Sequence, residues 1–218
     1  EQGYTFDLGA RGRFGKYLSY DIGGFFLSYQ DRLGVIVREV SDIQEERFRG
    51  NIGDAVTYGL ESFVDWNIME TFSANSYLRM NYFVNLALTD SEYTSSEENN
   101  VEGKNVEFIP AINLKTGLGF GYKNFLGSLQ YTYLSKQFTD ATNSERDFES
   151  QSGIVGEIPA YDILDLSLAY TFGRFKLESG INNVLDNSYF TRRATGYPGP
   201  GILPSQPRTW YTTLQIKI

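Results

Sequence analysis

The sequence predicts an all-β protein, and more specifically a transmembrane antiparallel β-barrel, on three observations. Apolar and polar residues alternate with a period of two along most of the chain, as strands with two differently solvated faces require. The connections between the alternating segments are short and long by turns. Aromatic residues, 16% of the chain, gather near the segment ends, where a membrane barrel carries its interfacial girdles.

The alternation identifies nine strands. In the fourth strand, Met80, Tyr82 and Val84 share one face while Arg79 and Asn81 lie on the other. In the other strands, too, large apolar side chains alternate with Gly, Asn, Thr, Ser or charged residues. We predict strands at about 3–12, 16–30, 55–66, 75–90, 110–122, 124–138, 161–172, 174–186 and 207–218.

The connections fall into two length classes that follow each other in strict order. Short turns are expected near 14–15, 67–73, 123–124 and 173–174, and long polar loops at about 31–54, 91–109, 139–160 and 187–206. Transmembrane barrels have this pattern, with tight turns on the periplasmic side and long loops outside. Val35 to Val40, within the first long loop, could form a further strand.

Strand length and face composition separate this hypothesis from a soluble β-sandwich. Twelve residues rising about 3.3 Å each, at a tilt near 40°, span roughly 30 Å, which is enough for an apolar band of about 25 Å. A sandwich also has alternating strands, but it would not sort its connections into two classes by parity. The barrel is therefore the favoured fold.

Composition excludes several classes of function. The 218 residues contain no cysteine and no histidine, so a disulfide scaffold, a Cys-based metal site and the usual general base are all missing. Only carboxylate pairs would remain for an outer-membrane enzyme, and we expect none. A formal charge of −8 argues against nucleic acid as a partner. The sequence has no apolar run of about 18 residues that would form a transmembrane helix.

The strand count indicates a piece of a larger barrel. Bacterial single-chain barrels carry an even number of strands, whereas nine are predicted here, and residues 3–12 already read as a strand. We therefore expect the whole range 1–218 to be the C-terminal portion of a barrel.

The last third of the chain resembles a known family. Residues 181–190, INNVLDNSYF, resemble the N-N-L-F-D-x-x-Y segment near the end of TonB-dependent outer-membrane receptors. The TRR at 191–193, the Gly- and Pro-rich 196–204 and the PRTWY at 207–211 are similar to the last loop and strand of the ferric-citrate subfamily. TYGLE at 57–61 and VEFIPA at 106–111 resemble two of the family's strand entries, the second with one proline missing.

This resemblance carries several implications. It implies a 22-stranded barrel whose last nine strands are these, with an N-terminal plug domain that lies outside this chain. It places the protein in the outer membrane of a Gram-negative bacterium and implies active import of a ferric chelate, such as iron citrate or a siderophore. The chelate would be cargo, and no cofactor is expected. The implied partners are the TonB–ExbB–ExbD energy-coupling complex, reached through the N-terminal part, together with outer-membrane lipids and the barrel assembly machinery.

Within this resemblance, the last long loop supplies the candidate ligand contacts. Arginine recognises carboxylates through paired donors, so Arg192 and Arg193, with Tyr197 beside them, are the expected ligand-binding residues. The alternative is that these side chains only hold the loop in place. The acidic residues of the loops at 91–109 and 139–160, among them Glu107 and Asp140, are expected to be solvated or bridged by divalent ions to lipid head groups, and a calcium site there is the alternative.

Two other functions stay open at this point. The receptor could import a different nutrient, such as a glycan or cobalamin. The chain could also be a barrel subunit captured as partner or substrate of an outer-membrane assembly or secretion complex.

Overall fold

A computed structural model describes residues 1–41, 44–72, 77–145, 153–194 and 201–218. These residues form eleven strands and a single helical turn. In chain order the elements are β1 (Gln2–Phe14), β2 (Leu18–Ser41), β3 (Gln44–Asn67), α1 (Ile68–Thr71), β4 (Leu78–Ser96), β5 (Ile112–Tyr122), β6 (Phe125–Leu134), β7 (Tyr161–Phe172), β8 (Phe175–Asn182), β9 (Phe190–Ala194), β10 (Gly201–Pro204) and β11 (Thr209–Ile216). Among the described residues, no helix is long and apolar enough to cross a membrane.

Nine of the strands form one antiparallel sheet in the order β1-β2-β3-β4-β5-β6-β7-β8-β11. Each strand therefore pairs with its neighbour in the sequence, and β9 and β10 form a separate hairpin inside the connection from β8 to β11. The sheet is open at β1 and β11. This arrangement confirms the predicted nine strands and the antiparallel, up-and-down order of a barrel wall.

The register gives the sheet two faces of opposite character. Leu166 on β7 lies opposite Leu129 on one side and Ile181 on the other, and this apolar surface, here called the outer face, continues across the sheet. Its neighbour in sequence, Ser167, lies opposite Ser128 and Gly180 on what we call the inner face. The basic residues at paired positions of the lower sheet all lie on the inner face: Arg11, Arg13, Arg79, Lys115 and Lys176.

This division is typical of a membrane barrel, which is apolar towards lipid and polar towards its lumen. Many large apolar side chains of the outer face are exposed, among them Leu60, Leu168 and Trp210. A protein surrounded by water would bury such a surface, whereas lipid covers it without cost.

The predicted loop at 31–54 is wrong, because β2 and β3 stay paired as far as Ser41 and Gln44. At 24 residues each, these strands rise about 60 Å along a 40° tilt, more than twice the apolar band of about 25 Å. Their upper halves therefore project beyond the membrane as a hairpin, as the alternative strand at Val35–Val40 suggested. β4 likewise continues to Ser96, into the predicted loop at 91–109.

A β-bulge marks the place where this hairpin leaves the wall. Tyr29 pairs with Ala55, but the next pair is Arg32 with Gly53, so Gln30 and Asp31 lie opposite the single residue Asp54 and β2 holds one extra residue. Asp31 has a φ of 52°, and its N–H donates to Oδ1 of Asp54 at 3.1 Å. Because a bulge shifts the side-chain parity of one strand, the even-numbered residues of β2 face inwards above it.

The two faces predict opposite responses to a charge at neighbouring positions. Leu166→Arg places a guanidinium near the middle of the outer face, where Arg costs about 2–4 kcal/mol of barrel stability in a bilayer. Ser167→Arg places the same group among polar residues of the inner face and should cost less than about 1 kcal/mol. Urea titrations of the whole receptor refolded into lipid vesicles measure both values, and equal losses for the two variants would contradict the assignment of faces.

Candidate functional site: the loop cap

Four long connections leave the sheet at the same end. L1 is the part of the β2–β3 hairpin above the bulge (32–53), L2 joins β4 to β5 (97–111), L3 joins β6 to β7 (135–160) and L4 joins β8 to β11 (183–208). We call their described parts the cap. The cap has an apolar core of its own, made of buried residues from L1, L2, L3 and the upper strands: Ile36, Ile52, Ala55, Tyr93, Val101, Val106 and Ala141.

A buried polar triad joins L1, β4 and L2 at the centre of this core. Nη1 of Arg32 donates to the hydroxyl oxygen of Tyr93 at 2.7 Å and to Oε1 of Glu107 at 2.9 Å. The Tyr93 hydroxyl in turn donates to Oε2 of Glu107 at 2.8 Å. Burial, with the Glu107 charge second, raises the pKa of Tyr93, so its proton stays available for that bond. Burial of Arg32 acts to lower its pKa, but the charge and hydrogen bond of Glu107 outweigh this effect, and the pKa of Arg32 is raised.

Gly34 leaves the space that this triad occupies. A Cβ at this position would lie 2.8 Å from Oε1 of Glu107 and 2.8 Å from Cγ1 of Ile52. The bulge turns both Arg32 and Gly34 towards the inner face. The arginine is thereby directed at Tyr93 and Glu107, and the missing side chain of the glycine leaves room for them.

L3 crosses over to the exposed edge of β2 and completes the cap. The N–H of Ala141 donates to the carbonyl of Val35 at 2.7 Å, while the N–H of Val35 donates to Oε1 of Glu107 at 3.1 Å. L2 and L3 are joined where the N–H of Phe108 donates to the carbonyl of Phe138 at 2.9 Å. The backbone groups of a strand edge are thereby paired by two other connections.

Arg47 forms a second junction between L1 and L3, at Thr139, next in sequence to the buried Asp140. Nη2 of Arg47 donates to the carbonyl of Thr139 at 2.6 Å. Oδ1 of the fully buried Asp140 accepts from the N–H of Thr142 and from the hydroxyl of Ser144, which folds the turn that follows. Burial lowers the pKa of Arg47, and the charges of Asp140 and Glu107 oppose that shift.

The expectation that Glu107 and Asp140 are solvated is therefore wrong. Glu107 is 4% exposed and accepts a hydrogen bond from Arg32, and Asp140 is 0% exposed. Their carboxylates organise the cap from inside. Among the described residues, no group of three or more acidic side chains is placed to hold a metal ion.

The family-like segment at the start of L4 folds as a tight turn. Asn183, at a φ of 53°, donates its N–H to Oδ1 of Asp165 at 2.8 Å and its side-chain amide to the carbonyl of Asn187 at 2.9 Å. The N–H of Asn187 donates to Oδ1 of Asn183, and Oδ1 of Asp186 accepts a hydrogen bond from the N–H of Arg208. The asparagines of this motif thus fix the point where L4 leaves and re-enters the sheet.

The structure separates the two arginines predicted to bind ligand. They are neighbours on β9, so their side chains point to opposite faces of its hairpin with β10. Arg193 is 7% exposed, and its guanidinium donates to the carbonyls of Gly153 at 2.7 Å and Glu157 at 2.7 and 3.1 Å. Arg192 is exposed. Tyr197 lies outside the described residues.

Arg193 therefore ties L4 to L3, which is the alternative role considered for these residues. Through these hydrogen bonds to L3, L4 is linked to the other three connections of the cap. Arg192 is left on the accessible face of the hairpin. Ligand contact by any of the three residues stays a prediction.

The inner face below the cap carries a glycine series on β5. Side chains of β4 lie over these glycines: a Cβ at Gly117 would approach Phe83 within 2.6 Å, and one at Gly121 would approach Arg79 within 3.1 Å. Part of the space left by the glycines is thus taken by a neighbouring strand. Beside them lies a depression of about 440 Å³, whose lining includes Arg79, Ser128, Ser167 and Lys176.

Sequence reasoning missed Arg32, Arg47 and the bulge that directs Arg32. One signal was available: Gly34 lies between Leu33 and the β-branched run 35–37, and an isolated glycine in a strand pattern indicates a bulge or a close approach.

The contrast between the two arginines gives a test by proteolysis. Because Glu157 offers its carbonyl to Arg193, Arg193→Ala should release L3 and speed cleavage after Glu157 by an endoproteinase specific for glutamate. Arg192→Ala, the neighbouring control, should leave the rate unchanged. Mass spectrometry of timed digests of the whole receptor follows this one cut, and equal rates in both variants would show that Arg193 does not hold L3.

Comparison with known proteins agrees with this architecture. The family model for the β-barrel of TonB-dependent receptor-like proteins matches residues 1–184. The ferric citrate transporter FecA in its unliganded form has a TM-score of 0.75 at 23% identity, covering 98% of this chain and 31% of that one. The ferric yersiniabactin uptake receptor FyuA from Yersinia pestis gives 0.71 at 17% identity, with 98% and 29% covered.

The copper transporter OprC is similar to the same degree, with a TM-score of 0.70 at 17% identity and coverage of 98% and 31%. This chain thus spans about a third of the length of these solved relatives. At such identities the structures establish the shared fold, and the family match covers more than half of the chain. The chain belongs to the TonB-dependent receptor β-barrel family, whose members are outer-membrane proteins of Gram-negative bacteria.

Proposed function

We propose that this chain is the cap-bearing part of a receptor that imports a ferric chelate, such as iron citrate or a siderophore, across the outer membrane. The observation that carries the proposal is the cap itself: four connections held together by buried contacts, with the guanidinium of Arg192 left exposed on its L4 hairpin. Solved relatives with the same fold include a ferric citrate transporter and a ferric yersiniabactin uptake receptor, which supports iron as the cargo metal.

Arg192 has the chemistry that an anionic chelate requires. A guanidinium presents paired donors that match a carboxylate, and it keeps its charge at any physiological pH. Arg193 has already committed donors to backbone carbonyls of L3, so its role in the proposal is to hold β9 in place. Arg192 would then contact the ligand, and Tyr197 remains a candidate beside it.

The absence of soft ligands favours a chelate over a bare metal ion. Copper transport, as the name of OprC describes for that protein, calls for sulfur or imidazole ligands. This chain has no cysteine or histidine, and its two methionines, Met69 and Met80, lie in the short turn after β3 and low on β4, far from the cap. A metal already wrapped in an organic chelator needs only groups that recognise the chelator.

The remaining steps of import belong to the same proposal. A ligand bound at the cap faces the polar inner side of the wall, and import would proceed along that side once the plug is displaced. Energy would come from the TonB–ExbB–ExbD complex, acting on the N-terminal part of the receptor. Outer-membrane lipids would cover the outer face, and the barrel assembly machinery would insert the barrel into the membrane. The chelate is cargo, and the proposal involves no cofactor or nucleic acid.

Ligand binding by the whole receptor tests Arg192 directly. Calorimetric titration with ferric citrate should show Arg192→Ala weaker by about 10-fold or more, since a hydrogen bond to a charged group contributes about 1.5–3 kcal/mol. Arg192→Lys keeps the charge but loses the paired donors, so it should fall between the parent and Arg192→Ala. Unchanged affinity in both variants would exclude Arg192 as a contact.

Uptake distinguishes the proposal from import of another nutrient. Cells that express the whole receptor should accumulate radiolabelled iron from a ferric chelate, and deletion of TonB should abolish the uptake. Growth that depends on the receptor with a glycan or cobalamin, but not with any iron source, would favour the alternative. If the receptor purifies only as a subunit of an assembly or secretion complex and supports no uptake, the second alternative, a partner or substrate of that complex, would be favoured.

A further inference from the structure

We propose that the outer face of the wall carries a lipid-binding site at Gly24, which holds one hydrocarbon chain of a lipid whose sugar headgroup contacts Asp90. The site lies on the lipid side of the wall, so the inference does not depend on which nutrient is imported. It starts from a depression of about 580 Å³, most of whose lining comes from four adjacent strands, β1 to β4. We call this depression the Gly24 groove.

Two rows of paired residues on the outer face form the groove. In the lower row, Gly24 on β2 lies between Leu8 on β1 and Leu60 on β3. The row above it, nearer the cap, has one member on each of the four strands: Phe6, Phe26, Tyr58 and Asp90. Gly24 is therefore the floor of a groove that has apolar side chains at its sides, and aromatic rings and a carboxylate at its upper end.

The backbone does not require a glycine at position 24. Its φ lies outside the left-handed region, and a Cβ would meet Cδ2 of Leu60 at 3.5 Å, which is an ordinary van der Waals contact. A glycine inside a strand is less favourable than alanine, because it loses more backbone freedom on folding and has no side chain to pack. What the glycine supplies here is therefore space.

The other outer-face glycines of the described wall below the bulge, Gly12 and Gly127, are covered by rings. A Cβ at Gly12 would lie 2.6 Å from the hydroxyl oxygen of Tyr20, and the ring of Phe120 takes the place of a Cβ at Gly127. In both cases a side chain of the paired strand fills the space. At Gly24 no described side chain does so, and the space is open to whatever surrounds the barrel.

Lipid surrounds this part of the barrel. β2 and β3 have both of their neighbours in place, and further strands of a barrel wall continue beside β1, not over its outer face. Water has no polar partners at the floor and sides of the groove, and an unfilled groove would forfeit van der Waals contacts. A hydrocarbon chain of a neighbouring lipid therefore fills it.

Asp90 lies at the height of the lipid headgroups. Leu78, at the start of the same strand, follows the short turn at the lower end of the wall. From Leu78 to Asp90 the strand rises roughly 30 Å, at about 3.3 Å per residue and a tilt near 40°, whereas the apolar band measures about 25 Å. The carboxylate is thus at the upper boundary of the band, and the groove extends below it into hydrocarbon.

The surroundings of Asp90 indicate the chemistry of the headgroup. Its Oδ2 accepts from the hydroxyl of Tyr58 at 2.8 Å, and its Oδ1 accepts from the N–H of Ser91 at 2.9 Å. These bonds hold the carboxylate in place, and each oxygen keeps a further acceptor site for a ligand. Sugar hydroxyls donate to such a carboxylate, and the apolar face of a sugar ring packs on an aromatic ring such as that of Tyr58. Glu92, exposed on the same face, adds negative charge, which disfavours an anionic headgroup.

Binding of defined lipids by the whole receptor tests the site. The receptor, purified in detergent, is titrated with three lipids that have identical acyl chains: glucosyldiacylglycerol, phosphatidylethanolamine and phosphatidylglycerol. Native mass spectrometry should show one glucosyldiacylglycerol bound about 10-fold or more tightly than either phospholipid, since hydrogen bonds to a carboxylate make the difference.

Variants at the floor of the groove test the chain site. Gly24→Phe fills the groove and should weaken binding of glucosyldiacylglycerol by about 10-fold or more, with Gly24→Ala between it and the parent. Leu166→Phe, a matched control that adds a ring to the outer face away from the groove, should bind like the parent. Gly24→Ala should also keep or raise the urea midpoint of the receptor in vesicles, whereas a lower midpoint would show that the fold itself needs this glycine.

Variants at the upper end test the headgroup. Asp90→Asn should weaken binding of glucosyldiacylglycerol by about 5-fold or more, because hydrogen bonds to a charged acceptor are the stronger ones. Glu92→Gln, which removes a charge outside the groove, should leave this binding unchanged. Equal losses in the two variants would show that only the surface charge matters and would overturn the assignment of Asp90.

The remaining outcomes are distinct. Equal binding of all three lipids by the parent, or tighter binding of a phospholipid, would overturn the sugar headgroup. Unchanged binding in Gly24→Phe would overturn the site as a whole. Because none of these variants touches the cap or the inner face, each of these failures leaves the proposed import unaffected.

Discussion

Inside a bilayer no water is available to pair with backbone N–H and C=O groups, and the rest of this structure depends on that constraint. Each strand of the wall must be hydrogen-bonded to its neighbours without interruption, which leaves only the side chains free to differ between the two faces. Lipid selects apolar residues such as Leu166 on one face, and the lumen admits polar ones such as Ser167 on the other. Above the membrane the constraint relaxes, and a bulge at Gln30–Asp31 becomes tolerable. The interrupted pairing is what turns Arg32 inwards.

The cap lies outside the bilayer and is held together by side-chain contacts as well as by its backbone. Its connections lie in water, where each main-chain hydrogen bond contributes little net stability, so the cap also depends on a small apolar core and on charges buried within it. Arg32 meets a carboxylate, whereas Arg47 and Arg193 donate to carbonyls of L3. Removing one partner of such a contact would leave the other buried and unpaired, at a cost of about 3–5 kcal/mol for an ion pair. The cap is thus prearranged, and it carries the exposed Arg192 on a hairpin that Arg193 ties to L3.

The sequence predicts those parts of the molecule that depend on local periodicity. Alternation identifies the nine wall strands and the two faces, because lipid imposes a period of two on every strand. It fails for the upper β2–β3 hairpin, because polar and charged residues in that part of the sequence, such as Arg38 and Glu39, are typical of a loop. It also fails for Glu107, whose partner Arg32 lies 75 residues away in sequence. For Arg192 and Arg193, alternation shows that they point apart, but only the position of L3 shows which one is buried.

Hydrogen exchange on the whole receptor without ligand tests most directly the claim that the cap is assembled before ligand binds. The amides to follow are those of Val35, Phe108 and Ala141, which donate to Glu107, Phe138 and Val35 across three connections. In the parent receptor these amides should exchange orders of magnitude more slowly than unprotected amides, and in Glu107→Ala their protection should be lost together. Exchange at the rate of an open loop in the parent receptor would contradict it.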